Sequence, residues 1–334
     1  MTLTRRETFR RLGSSALAPS LLALTSVERL ASAVEVVPLP VIDTHQHLWD
    51  LSRSRLPWLA SASELLRRSF QTPDYLEATR GLNVVKAVYM EVDVAPDQVD
   101  DEARDVLALC HSGQSPTRAA VIGGRPASDA FTRELDSLGR DPLLKGVRQV
   151  LHSSDTPAGY CLSEAFVRGI HALGRRGLRF DLCLRPGDLT DGIKLVELCP
   201  ETRFVLDHCG NADPNAFLKP SARGGAKPSH DPDDWKGAMD GLARRPNVVC
   251  KISGIVARAR KGFTPDDLAP VINHCLDTFG PDRVMFGGDW PVCLLGSSYR
   301  RWVEALRAIV SQRPIDHQRK LWHDNADKFY QLNT

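Results

Sequence analysis

Val41-Ile42-Asp43-Thr44-His45-Gln46-His47 is an apolar, β-branched start that runs straight into a His-x-His. Side chains alternate faces along a strand, so the spacing predicts that His45 and His47 project to one side, with Asp43 on that side one step deeper. Two imidazoles and a carboxylate then converge on one space at the end of a strand. An isolated His-x-His also arises as a chance pair in a polar loop, so its meaning depends on what the rest of the chain builds around it.

Downstream of Pro40, short apolar runs alternate with helix-length amphipathic segments. The strands are read at Val41–His47, Val84–Val92, Ala119–Gly123, Lys145–Leu151, Leu178–Leu184, Arg203–Cys209, Val248–Ser253 and Val284–Asp289. Each is nearly continuous in apolar residues, the mark of parallel strands buried on both faces. Helices are read near Pro73–Arg80, Asp97–Ser112, Asp129–Gly139, Ser163–Arg176, Leu189–Cys199, Asp233–Arg244, Pro265–Phe279 and Ser298–Ser311. Eight βα units predict an α/β fold of the closed (β/α)8 TIM-barrel type, with an extra helix at about Asp316–Tyr330 packed outside it. Two connections are long: Leu48–Gln71 after the first strand and Gly210–Pro232 after the sixth. Both follow strands at the end where such barrels carry chemistry, so they are read as the rim or lid of a pocket, beside the plainer reading of a surface excursion.

The first 33 residues are set apart from this fold. Thr4–Arg11 is basic with the paired Arg5-Arg6, Leu12–Leu24 is moderately apolar, and Ala31-Ser32-Ala33 supplies small residues. That order is the layout of a cleaved export leader, here twin-arginine-like, with Phe9 one place later than the usual pattern. An apolar core of roughly 13 residues is shorter than the about 20 that a spanning helix needs. The expectation is a leader at 1–33 and a single barrel domain at 34–334, periplasmic or secreted, with no membrane association once mature. Without the leader, 38 basic and 39 acidic residues remain. The basic excess therefore belongs to the leader, and no basic stripe points to nucleic acid. The eight cysteines show no Cys-x-x-Cys, and most are read as structural thiols.

Catalytic residues of a parallel barrel sit at the C-terminal ends of its strands. The ends read here carry His45 and His47, then Glu91, Arg148 with His152, Asp207-His208, Lys251 with Ser253, and Asp289. Over Pro40 to the C-terminus the chain resembles the amidohydrolase superfamily, in the amidohydrolase-related branch that contains sugar lactonases and 2-pyrone-4,6-dicarboxylate lactonase. The resemblance rests on Val41–Asp50, Lys145-Gly146-Val147-Arg148, Val205–Gly210, Asn247–Gly254, Asp282–Val292 and Asn325-Ala326 followed by Phe329-Tyr330. It implies His45, His47, His208 and Asp289 as the catalytic or metal-site residues. The sequence departs from the branch at Gly288, where Ser usually precedes the eighth-strand Asp, and at Gln149, where His often follows the Arg. It also shows no bridging lysine on the fourth strand beyond Lys145 at its start and no histidine ending the fifth, both of which binuclear relatives use, and this disfavours a two-metal site.

What the resemblance implies is a hydrolase that opens a small sugar, aldonate or carboxylated lactone. One divalent ion, zinc or manganese, would be held by His45, His47, His208 and Asp289, where it lowers the pKa of bound water and polarises the ester carbonyl. In a metal-independent version Asp289 is the general base and an imidazole donates to the oxyanion. Arg148 is read as a clamp for carboxylate or polyol oxygens, because its planar fork donates two parallel hydrogen bonds. His152, Lys251 and Glu91 are read as further substrate contacts, beside structural readings for Glu91 and His152 and a salt bridge at the barrel rim for Arg148. For Lys251, structural pairing with a carboxylate stands beside that reading, since an unpaired buried ammonium is costly. Isomerisation or decarboxylation on the same barrel, and a non-catalytic polyol- or acid-binding protein, are the alternatives. The implied partner is a small molecule; the oligomeric state is not indicated.

Overall fold

The computed structural model describes residues 38–332 apart from 139, 224 and 226, so the leader expected at 1–33 lies outside the described residues. Eight strands form one sheet in sequential order: β1 (Val41–Gln46), β2 (Val84–Met90), β3 (Thr117–Gly123), β4 (Leu144–Val150), β5 (Arg179–Cys183), β6 (Arg203–Leu206), β7 (Val248–Ile252) and β8 (Val284–Phe286). Every neighbouring pair from β1 to β8 is parallel. The sheet closes where Gln46 bridges Trp290: the Asp289 N–H donates to the His45 carbonyl at 2.8 Å and the His47 N–H to the Trp290 carbonyl at 2.8 Å. This is the expected eight-stranded barrel, and its closing bonds lie in the backbone of the site residues themselves.

Several strands end earlier than their apolar runs. β6 stops at Leu206 because His208, Cys209, Gly210 and Asn211 take positive φ values of 53, 52, 65 and 54°. β8 stops at Phe286, and Asp289 takes φ 52°. Left-handed backbone at non-glycine residues is disfavoured and breaks the ladder. Polar side chains that regular strands would direct by alternation are therefore re-aimed by turns.

The core has two layers. Ile42, Val88, Val121, Val205, Val249 and Met285 fill the barrel interior, and a larger cluster packs strands against the outer helices. The C-terminal segment runs through Ile315–Arg319, a π-helical turn at Lys320–Asp324 and Asn325–Tyr330. It was expected to pack outside the barrel, but its last turn joins the inner layer: Ala326, Phe329 and Tyr330 belong to the interior cluster. Parallel strands leave an apolar opening at their N-terminal ends, and burying an aromatic side chain there contributes about 1.5–3 kcal/mol.

The connection 48–71 is pinned by paired backbone bonds between Trp49 and Phe70 (2.8 and 2.9 Å), and the Trp49 indole donates to the Arg68 carbonyl at 2.6 Å. The connection 210–232 contains short 3-10 turns at Pro214–Phe217 and Pro220–Ala222. All eight cysteines are free and buried. Among the described residues no helix is long and apolar enough to cross a membrane.

Candidate active site

A cavity of about 360 Å³ opens at the C-terminal ends of the strands. Its floor is formed by His47, His208, Asp289 and Arg148; its walls include Trp49, Trp58, His152 and Arg258. Loop 48–71 thus supplies two indoles to the rim. Loop 210–232 supplies only Asn211 among the described lining residues.

The four residues implied by the resemblance come together. Asp289 Oδ1 lies 3.5 Å from His47 Nε2, 3.8 Å from His45 Nε2 and 3.9 Å from His208 Nε2. Each ring is fixed from behind. His47 Nδ1 is 2.9 Å from the Met90 carbonyl, an acceptor only, so Nδ1 donates there and Nε2 is turned toward Asp289. His208 Nδ1 is 2.9 Å from Ser253 Oγ. Behind that ring Gly254 has φ 70°, and a Cβ there would stand 2.3 Å from His208 Nδ1, so the Ser-Gly after β7 leaves room for the imidazole. Burial lowers the pKa of both His45 and His208, which favours the neutral ring.

Asp43 is not part of this convergence. A register irregularity lies between Asp43 and Gln46, so simple alternation does not carry through β1. The Asp43 side chain turns to the helix layer and accepts four hydrogen bonds: from the N–H groups of His45 (2.9 Å) and Gly288 (2.7 Å) and the hydroxyls of Tyr75 (2.9 Å) and Tyr299 (3.0 Å). The same packing accounts for Gly288, since a Cβ there would lie 2.3 Å from the Tyr299 ring and 2.5 Å from Asp43 Oδ2. A serine at this position does not fit beside Tyr299.

The residues read as substrate contacts divide. Arg148 and His152 line the cavity. Much of the Arg148 fork is already engaged, with Nε donating to Glu91 Oε1 at 2.6 Å and Nη2 to the Glu91 carbonyl at 2.8 Å. Glu91 itself does not line the cavity; it is buried, anchors Arg148 and accepts the Asp93 N–H at 2.6 Å. Lys251 is fully buried beneath the floor and absent from the lining, bound to Asp181 Oδ2 at 2.6 Å and close to Asp207 Oδ1 at 3.2 Å. A buried ammonium takes carboxylate partners, which is the pairing alternative raised for it. His152 Nδ1 lies 3.3 Å from Cys183 Sγ, and burial lowers its pKa to about 4. Trp290 is packed against Phe70 and Tyr75.

Sequence reasoning missed Asp181, Asn211 and Arg258. Asp181 had a signal: one acidic residue in the apolar run of β5 and one basic residue in β7 are natural partners across a barrel interior. Arg258 donates to Asn211 Oδ1 at 3.3 Å and had none, because both stand in turns.

The donor set fits a divalent cation. His45, His208 and Asp289 offer ligand atoms within 4.8 Å of one another. A tetrahedral zinc with ligands at about 2.0–2.1 Å separates them by about 3.4 Å. The observed 3.5 to 3.9 Å between Asp289 Oδ1 and the imidazoles is close to that. Buried charge points the same way: among the described residues Glu91, Asp181 and Asp207 pair with the buried cations Arg148 and Lys251, whereas Asp289 pairs with neither. Carboxylate charge in a low-dielectric interior favours a positive ion.

Comparison with known proteins gives the family. The Amidohydrolase family model matches residues 42–332. An L-fucono-1,5-lactonase of Burkholderia multivorans is 31% identical over 310 residues, covering 87% of this chain and 96% of that protein. An L-fucono-1,5-lactonase of Burkholderia ambifaria is 28% identical over 301 residues, with 87% and 96% covered. The crystal structure of an amidohydrolase from Burkholderia multivorans with bound zinc is 27% identical and superposes with a TM-score of 0.74, covering 87% of this chain and 99% of that one.

Proposed function

Because the chain belongs to the amidohydrolase family, we propose that it hydrolyses a small lactone of a sugar acid, with Asp289 as the general base. The observation that carries this reading is the Asp289 carboxylate facing three imidazole Nε2 atoms, with Asp289, His47 and His208 lining a cavity sized for one small ring. Relatives named as L-fucono-1,5-lactonases support the substrate class.

Asp289 takes a proton from the attacking water and returns it to the ring oxygen as the acyl–oxygen bond breaks, releasing an open-chain hydroxy acid. His45, His47, His208 and Asp289 would hold one zinc or manganese ion, which supplies Lewis-acid polarisation of the carbonyl and acidification of water. Arg148, anchored by Glu91 and lining the cavity, supplies positive charge toward substrate oxygen at the floor. Trp49 and Trp58 exclude water above the ring, and their N–H groups are already bonded to the Arg68 and Val92 carbonyls, so they offer apolar faces. His152, neutral at physiological pH, and Arg258 contribute polar contacts at the wall. Residues 1–33 are assigned as an export leader, which cell fractionation with N-terminal sequencing of the mature chain tests.

The test is turnover of L-fucono-1,5-lactone and related aldonolactones by protein purified without chelator, with elemental analysis alongside. Stoichiometric ring-opened acid and loss of turnover in Asp289→Asn are expected. An isomeric lactone or released carbon dioxide as product would replace hydrolysis by isomerisation or decarboxylation. Tight binding without product would make the chain a binding protein.

A further inference from the structure

Beneath the cavity floor lies a second set of charges that the proposed reaction does not use. Asp181 on β5, Asp207 at the end of β6 and Lys251 on β7 are all completely buried. Lys251 Nζ donates to Asp181 Oδ2 at 2.6 Å and lies 3.2 Å from Asp207 Oδ1. That same Asp207 oxygen is 3.4 Å from His45 Nδ1, while Asp207 Oδ2 is 3.8 Å from Arg148 Nη1. Among the described residues neither Asp207 oxygen has a well-formed hydrogen bond; its contacts with Lys251, His45 and Arg148 are charge contacts at 3.2 to 3.8 Å.

We propose that Asp207, clamped by the Lys251–Asp181 pair, is a positioning residue that holds the proton of His45 on Nδ1 and so leaves Nε2 unprotonated toward Asp289. On the far side of the ring, the Arg148 Nη1 group, always a donor, stands 3.4 Å from His45 Nε2, and the nearest acceptor, Asp289 Oδ1, is farther, at 3.8 Å. A neutral imidazole has one donor and one acceptor nitrogen. Asp207 on one side and Arg148 on the other select the same tautomer. Lys251 Nζ also lies within hydrogen-bond distance of Nδ1, at 3.4 Å, but it stands closer to Asp181 Oδ2, at 2.6 Å, and to Asp207 Oδ1, at 3.2 Å.

The chain places Asp207 for this task. Its N–H donates to the Leu182 carbonyl at 3.1 Å, which keeps it on the β-ladder with its side chain inside the barrel. His208, the next residue, turns into the cavity through φ 53°. Adjacent residues thus serve two levels of one site: His208 faces the cavity and Asp207 lies beneath it. Buried carboxylates behind histidine ligands orient the ring and raise its basicity, and their loss typically lowers metal affinity about 10–100-fold.

The inference rests on the site reading, but its test needs no turnover. In the full chain labelled with 15N-histidine and freed of metal, long-range 1H–15N correlation reads the tautomer of His45, assigned by the signal missing from His45→Gln. The expected result is a protonated Nδ1 and a pyridine-type Nε2. In Asp207→Asn the population moves toward Nε2–H, zinc affinity by chelator competition falls about 10–100-fold, and kcat drops with KM little changed. Asp207→Glu restores part of each effect, which a merely structural role would not do. A wild-type His45 protonated on Nε2, or a folded Asp207→Asn with an unaltered tautomer, overturns the inference. The wild-type measurement decides even where the variant fails to fold. Absence of lactone turnover would count against the proposed function and leave this result standing.

Discussion

Two buried carboxylates stand on either side of the β1–β8 seam, and they are opposites. Asp43 accepts four hydrogen bonds between 2.7 and 3.0 Å and touches only its own packing shell. Asp289 takes no hydrogen bond at normal length from a described side chain; its nearest neighbours are imidazole nitrogens at 3.5 to 3.9 Å, and it opens on the cavity. Hydrogen-bond satisfaction separates them. A saturated buried carboxylate fixes geometry, whereas an unsaturated one facing a cavity is prepared for a proton or an ion.

The sharpest way to break this contrast is Asp289→Asn, which keeps shape and removes the proposed base. It should cost at least about 100-fold in kcat while the thermal midpoint moves little; loss of folding with retained specific activity would reverse the assignment. Asp43→Ala should do the converse. Stranding two N–H groups and two phenols should lower unfolding free energy by about 3 kcal/mol or more, measured by urea titration, with kcat/KM of the folded fraction down less than tenfold. Gly288→Ala drives a methyl into Tyr299 and Asp43, for about 1–3 kcal/mol. The double-mutant cycle with Tyr299→Leu should show that most of this loss is coupling between the two positions.

The smallest effect concerns pH. His152 is held near pKa 4 in the folded protein by burial, first, and then by the nearby Arg258 and Arg148 charges, against 6.5 for an ordinary imidazole. The unfolded chain therefore binds a proton between pH 6.5 and 4 that the folded chain refuses, so this residue subtracts stability as pH falls through that window. His152→Gln should show a shallower fall in thermal midpoint from pH 7 to 4.5 than the parent, and parallel curves would refute the burial of a neutral ring.

Much of this architecture was legible beforehand. Eight β-branched apolar runs separated by amphipathic segments leave little choice but a parallel barrel, and polar residues at the ends of such runs mark the catalytic face. His45, His47, His208 and Asp289 stand among these strand-end residues, were singled out by the family resemblance, and do converge. The side of the sheet that Asp43 takes was not legible, because alternation fails at a register shift. Nor could the sequence place the C-terminal turn: an amphipathic segment ending in Phe329-Tyr330 reads equally as an outer helix or a plug.

Local pattern by itself determined the barrel, its chemical end and a set of strand-end candidates, since these depend on periodicity and on which residues interrupt an apolar run; the family resemblance picked four of them. Only the tertiary structure decided that Asp43 is structural, that Glu91 anchors Arg148, and that Lys251 lies under the floor with Asp181 and Asp207. Those roles follow from which charges meet across the barrel interior. In a closed sheet, partners from β5, β6 and β7 come within 2.6 to 3.2 Å although as many as 70 residues of chain separate them.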